Sequence, residues 1–190
     1  MKAFLKNWGL FIAFVVVLLG LRLFVITPVS VQGHSMDPTL ADGQKLITLK
    51  HFTPERFDII TTQEPDDLSK LAVKRVIGLP GDTVEMHNDV LKINGKVVKE
   101  AYLDDFKKQF ATDKLQEEYQ YNSSYQILAA QSEAFTKDFS TTVPAGKYFV
   151  LGDNRLISKD SRIFGFVDPE MIQGKVWVRY WPFNKITNID

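Results

Sequence analysis

From Trp8 to Leu21 the chain carries no charged residue, and after Arg22 the apolar run resumes through Leu23, Phe24, Val25 and Ile26. Counted from Trp8 to Ile26, the run is close to the roughly 20 residues that cross a bilayer as a helix, which predicts a membrane span. Arg22 falls near its outer end, where the methylenes stay in lipid and the guanidinium reaches the interface. Thr27-Pro28 marks the helix end, because proline disfavours helical geometry in the residue before it. The bulky residues leaving the run offer no small-x-small cleavage site, so the segment reads as a retained anchor rather than a removed leader. Lys2 and Lys6 ahead of the span predict a cytoplasmic N-terminus, with the rest of the chain on the outer face of the cell membrane after a single pass.

Beyond the span the pattern changes to short runs rich in β-branched and apolar residues. Gln44 to Lys50, Phe57 to Thr62, Leu71 to Ile77, Lys147 to Leu151 and Gly174 to Tyr180 all predict strands. Val90 to Ile93 and Lys96 to Lys99 flank Asn94-Gly95, a two-residue hairpin turn. Many short strands and few long helical patterns predict a mostly β domain. Residues 101–142 differ: rich in Lys, Asp, Gln, Ser and Tyr, they read as a solvated surface insertion, with a substrate-contacting lid as the alternative, in which Asp105 can cap a weak helix carrying Phe106, Phe110 and Tyr119 on one side. The expected organisation is a cytoplasmic N-terminus and anchor over 1–27, then a β-rich extracytoplasmic domain over 28–190 interrupted by that insertion.

Composition narrows the chemistry. The roughly 160 residues beyond the anchor suffice for one ordinary core. Basic and acidic residues balance at 23 each without long runs of either sign, which argues against a nucleic-acid partner. The absence of cysteine removes disulfides, thiolate metal sites and a cysteine nucleophile together. With three histidines and no His-x-x-x-His pair, neither a metal site nor a cofactor is expected.

Three stretches carry candidate chemistry. In Gly33-His34-Ser35-Met36-Asp37-Pro38-Thr39-Leu40, proline restricts the backbone just after Ser35, so its hydroxyl sits where the chain turns; a turn-forming serine is the plainer reading. In Leu71 to Ile77, strand alternation puts Ala72, Lys74 and Val76 on one face. An amine among small and apolar side chains is desolvated, which lowers its pKa and suits it to act as a general base; otherwise it is a strand lysine whose head reaches water. The third stretch, Gly152-Asp153-Asn154-Arg155 with Ser158, Asp160, Ser161 and Arg162, is either a loop with a surface ion pair or a support in which Ser158 holds the Lys74 amine while Asp160 and Arg162 brace the loop.

In their order behind an anchor, Ser35-Met36-Asp37-Pro38-Thr39-Leu40, Lys74-Arg75-Val76-Ile77-Gly78-Leu79-Pro80-Gly81-Asp82 and Gly152 to Arg162 resemble the motifs of type I signal peptidases (leader peptidases) of the Gram-positive bacterial type. The resemblance implies a membrane-bound serine endopeptidase of the signal peptidase fold, cutting signal peptides from exported preproteins at the lipid bilayer with a Ser-Lys dyad. It implies Ser35 as nucleophile, its backbone N–H as an oxyanion donor, Lys74 as general base, Ser158 beside the lysine, and structural roles for Asp160 and Arg162. Two positions depart from the pattern. Some family members carry a serine two positions before the nucleophile, where this chain has Gly33, and the family commonly has glycine where this chain has Phe57.

The rival readings lack residues. No supporting motif accompanies a histidine for a Ser-His-Asp triad, and Pro38 stands where Ser-x-x-Lys would need lysine. The alternative from another class is a membrane-tethered β-domain that binds peptides without cutting them.

Overall fold

The computed structural model describes residues 2–189. The apolar N-terminal run forms helix α1 (Lys2–Gly20), continued by one π-helical turn over Leu21–Val25. The window Trp8–Val25 has a mean hydropathy of 2.5 and none of it is buried, so it is long and apolar enough to cross a membrane. No linker follows. Strand β1 (Ile26–Ser30) starts at once, inside the 1–27 segment expected to be anchor, and pairs antiparallel with β2 (Lys45–Leu49). Thr27-Pro28 is therefore strand, and Pro28 is tolerated because β1 is an edge strand.

Strands β3 (Ile59–Glu64) and β4 (Asp67–Gly78) follow, then β5 (Thr83–His87), β6 (Val90–Ile93) and β7 (Lys96–Val97). Asn94 and Gly95 both take positive φ, as a two-residue hairpin turn requires. After the insertion come β8 (Phe139–Thr142), β9 (Phe149–Leu151), β10 (Ile172–Trp181) and β11 (Thr187–Asn188). Two antiparallel sheets result. One is ordered β1-β2-β10-β3-β4-β9 with β11 beside β10, the other β7-β6-β5-β8. The mostly β class read from the pattern is the observed one.

Strand β4 belongs to the first sheet but ends among the apolar residues that join the two. Ile77, Val84, Met86, Leu91, Val143 and Phe149 form one buried cluster. A second cluster, with Val31, Met36, Leu40, Leu46, Ile59 and Val176, packs under the loop that carries Ser35.

The insertion is not a solvated excursion. Helices α2 (Asp104–Asp113) and α3 (Ser123–Gln131) enclose a core of their own from Leu103, Phe106, Phe110, Leu115, Tyr119, Ala129 and Phe135. Polar composition concealed it because seven buried apolar side chains, widely spaced, are enough for one small cluster. Asp105 lies within the first turn of α2 rather than at its cap, and the helix stops before Tyr119, whose ring meets Phe106 from the following turn. It is α3 that carries a side-chain cap, with Asn122 accepting from the N–H groups of Ser124 and Tyr125.

Candidate active site

The chain leaves β1 through Val31, whose N–H donates to Gln44 O at 2.8 Å, and turns at Gly33. Gly33 has φ +79°, and its N–H donates to Asp42 Oδ1 at 2.7 Å. Met36 and Leu40 are buried in the second cluster and pin the far side of the turn. Ser35 thus stands between an exposed glycine and a buried methionine, half-buried and facing a groove. The groove, about 860 Å³, runs between Thr27 to Met36 on one wall and Ser69 to Lys74 on the other, with Tyr125, Ile157 and Lys159 completing it.

Lys74 reaches this groove from β4. It pairs in register with Ile60; Ala72, Lys74 and Val76 are all buried, and from Arg75 onward the opposite face of the strand is buried as well. Lys74 is only 3% exposed, and its Nζ donates to Ser35 Oγ at 3.1 Å and to its neighbour's carbonyl, Val73 O, at 3.1 Å. No carboxylate is hydrogen-bonded to the amine among the described residues. Burial therefore dominates and pulls the Lys74 pKa below its ordinary value, while Asp160, Glu64 and Asp153 pull weakly the other way.

The loop after β9 closes the back of the site. Asp160 caps the short helix α4 (Ser161–Phe164), accepts from Gly152 N at 3.0 Å, and forms a bidentate pair with Arg162, Nε to Oδ1 at 2.8 Å and Nη2 to Oδ2 at 2.7 Å. Ser158 is buried against Gly152, and its Oγ has no hydrogen-bond partner among the described residues; it does not bond the Lys74 amine. A Cβ at residue 152 would fall 2.1 Å from Ser158 Oγ and 2.5 Å from the Ser35 carbonyl, so only glycine lets the loop approach this closely.

Sequence reasoning missed the ion pair that joins this loop to β4. Arg75, next to Lys74, donates Nε to Asp153 Oδ1 at 2.9 Å and Nη2 to Asp153 Oδ2 at 2.7 Å, with side chains 3% and 0% exposed. Arg75 Nη1 donates to Phe57 O at 2.9 Å, its guanidinium lies 3.9 Å over the Tyr102 ring, and Thr39 of the Ser35 loop donates to Asp153 Oδ2. Burial opposes the Arg75 charge, but Asp153 outweighs it and raises the pKa. Arg155 makes a second buried pair with Glu100 at the start of the insertion. The motif residues Arg75, Asp153 and Arg155 were visible in the sequence, but no local signal tells that Arg75 pairs with Asp153, 78 residues on, or Arg155 with Glu100, 55 residues before it.

Arg75→Met is expected to leave the Asp153 carboxylate buried and unpaired, at a cost of about 3–5 kcal/mol, or roughly 6–20 °C in thermal midpoint. The double variant Arg75→Met/Asp153→Leu removes the orphan charge and should recover much of that loss. Lys70→Met breaks the exposed Lys70–Asp67 pair and should leave the midpoint where it was. Thermal unfolding of the three variants by circular dichroism checks the ordering.

His34 is turned away from chemistry. Its Nδ1 bonds Asp37 Oδ2 at 2.9 Å, and its ring stacks on Tyr121 of the insertion at 4.2 Å. Burial lifts the Asp37 carboxyl to about 6 against the lowering effect of His34. The Ser35 N–H makes no hydrogen bond to another described residue, so it is available to a developing oxyanion.

Ser35 Oγ, the buried Lys74 amine and the free Ser35 N–H thus come together beside one groove, and the chain is similar to known proteins along nearly its whole length. The family model described as "Signal peptidase, peptidase S26" matches residues 5–181. Signal peptidase I of Streptococcus pneumoniae R6 is 45% identical over 198 residues, covering 97% of each chain. Signal peptidase IB of Staphylococcus aureus is 40% identical over 203 residues, covering 97% of this chain and 94% of that one. The crystal structure of a signal peptidase I from Enterococcus faecalis superposes with a TM-score of 0.50 at 39% identity, over 65% of this chain and 97% of the other. Since the matched region runs from the anchor helix to the end of β10, taking in all three motifs, the chain belongs to the signal peptidase family of serine peptidases, in its Gram-positive bacterial type.

Proposed function

We propose that this protein removes N-terminal signal peptides from exported preproteins with Ser35 as nucleophile and Lys74 as general base. The observation that carries the assignment is the 3.1 Å hydrogen bond between Ser35 Oγ and the buried Lys74 Nζ. With the amine neutral, the hydrogen bond reverses and the hydroxyl donates to Nζ. As Ser35 Oγ attacks the scissile carbonyl, its proton passes to Lys74, and the Ser35 N–H stabilises the oxyanion. The ammonium then protonates the leaving amine, and the regenerated amine activates the water that hydrolyses the acyl-enzyme. Asp160 and Arg162 act by holding the loop that backs the dyad; Ser158 contributes its packing against Gly152.

The groove fits an extended peptide. Strand β1 pairs only with β2, and β4 pairs with β9 only from Arg75 onward, so the two strands lining the groove each keep backbone groups free for a peptide strand. The anchor assigns the membrane. α1 spans it once, with the N-terminus cytoplasmic and residues 28–190 on the outer face, where preproteins emerge.

Because the free amine is the active form, kcat/KM for preprotein cleavage should rise with pH as Lys74 loses its proton, and level off above its lowered pKa. The same shift acts on stability. The unfolded chain holds this proton to higher pH than the folded one, so between the two pKa values the Lys74 contribution to folding becomes more favourable as pH rises. Initial rates on a preprotein in detergent from pH 6 to 10 test the assignment. No cleavage at any pH, or a flat profile with chemistry rate-limiting, overturns it.

A further inference from the structure

The insertion of residues 101–142 packs around its own core, yet two of its aromatic side chains reach out toward Ser35, one to Asn154 and the other to His34. Tyr119 is fully buried in that core, and its hydroxyl donates to Asn154 Oδ1 at 2.6 Å. Asn154, also fully buried, donates its backbone N–H to the Ser35 carbonyl at 3.1 Å. Its Nδ2 has no partner among the described residues, so the Tyr119 hydroxyl is what fixes the carboxamide. Tyr121 stacks on His34, which in turn bonds Asp37. The Ser35 side chain hangs between two peptide planes. One carries the N–H that faces the oxyanion and begins at His34; the other carries the carbonyl held by Asn154.

We infer that the insertion is the positioning element for the nucleophile, with Tyr119 and Tyr121 as positioning residues for peptide-bond cleavage. Neither touches the reacting atoms. Tyr119 sets the carbonyl plane through Asn154, and Tyr121 sets the N–H plane through the His34 ring. An error of about 1 Å in the nucleophile's place costs on the order of 100-fold in rate. A buried, doubly anchored loop avoids that error without ordering the chain anew in each turnover. The two tyrosines use different parts of the ring. At 119 the hydroxyl makes the contact; at 121 the ring face does, and no hydrogen bond of its hydroxyl is present among the described residues.

This inference rests on Ser35 being the nucleophile, and its test separates the two. Full-length enzyme in lipid vesicles is assayed on a preprotein for kcat and KM. Tyr119→Phe should lower kcat roughly 10-fold with KM within about twofold, since substrate contacts are untouched. Tyr121→Ala should do likewise, and Tyr121→Phe should recover most of what the alanine loses. Phe110→Leu loosens the insertion core through the Phe135 contact, and no ring contact joins Phe110 to either tyrosine among the described residues; assayed well below its thermal midpoint, it should keep the wild-type kcat. The inference is overturned if Tyr119→Phe and Tyr121→Ala keep kcat within twofold, or if Phe110→Leu falls as far as they do. An active Ser35→Ala enzyme would instead remove the nucleophile assignment itself.

Discussion

Ser35→Ala and Lys74→Met are each expected to reduce preprotein cleavage by about 10⁴-fold or more, and the double variant to be no slower than either single one. The reason for non-additivity is that the two side chains form one unit. Without the amine the hydroxyl keeps its proton, and without the hydroxyl the amine has nothing to activate. Both variants should fold. Ser35 is half-buried and loses one oxygen, while Lys74→Met replaces a desolvated amine by an apolar chain of similar length among Ala72, Val76 and the core beneath. Lys74→Met should in fact unfold at a slightly higher temperature at neutral pH, because it removes the cost of burying an amine. Cleavage measured under single-turnover conditions, with circular dichroism on the same samples, decides the matter. A Lys74→Met enzyme retaining a tenth of wild-type rate would show that another group accepts the serine proton.

How much of this was legible beforehand differs from element to element. The strand around Lys74 was readable because its pattern and its burial agree: period-two alternation of small and apolar residues in β4 became a buried face. Strand β1 was not readable, because Thr27-Pro28 is good helix-stop grammar and only the edge position of the strand excuses the proline. The insertion core escaped notice because Phe106, Phe110, Tyr119 and Phe135 converge from a helix, a turn and a loop, with no single period joining them. The sequence pattern puts Tyr119 with Phe106 and Phe110, yet nothing local announces that its hydroxyl meets Asn154.

The two departures from the family pattern both fall at positive φ, and they resolve differently. Phe57 sits at φ +74°, where glycine would be at no steric disadvantage and a side chain costs roughly 1–2 kcal/mol. Its ring compensates by meeting Tyr102 edge-on at 5.8 Å and packing on the cluster that includes Ile77 and Phe149. Its carbonyl accepts from Arg75, so the strained residue also helps hold the buried guanidinium. Gly33, by contrast, fits its φ of +79° freely, and a Cβ there would meet nothing within 4 Å. At this position, where some family members carry a serine, Gly33 lines the groove, and the Ser35 N–H beside it makes no hydrogen bond to another described residue.

Removing the anchor is expected to leave peptide-bond chemistry intact while nearly abolishing the processing of membrane-inserted preproteins. β1 follows the helix directly, and the junction is tied down where Lys50 donates its Nζ to Leu23 O at 2.7 Å and its N–H to Val25 O at 2.9 Å. From Ile26 to Ser35 the chain spans at most about 30 Å even if fully extended. Ser35 is thus joined to the end of the apolar helix through a strand pair rather than by a flexible tether. A signal peptide still spans the membrane when it is cut, so enzyme and cleavage site share one thin layer, and confinement raises their effective concentration without adding a contact. The place of truncation matters. Deleting 1–27 would strip Ile26 and Thr27 from their pairs with Leu49 and Thr48, whereas a chain beginning at Leu23 keeps every strand pair and both Lys50 bonds. For that truncated enzyme, hydrolysis of a short soluble peptide should stay within a few-fold of full length. Its rate on a preprotein in lipid vesicles should fall by roughly 10²-fold or more. The quantity to compare is the ratio of the two rates in each enzyme, and an unchanged ratio would mean that the anchor adds nothing to substrate encounter.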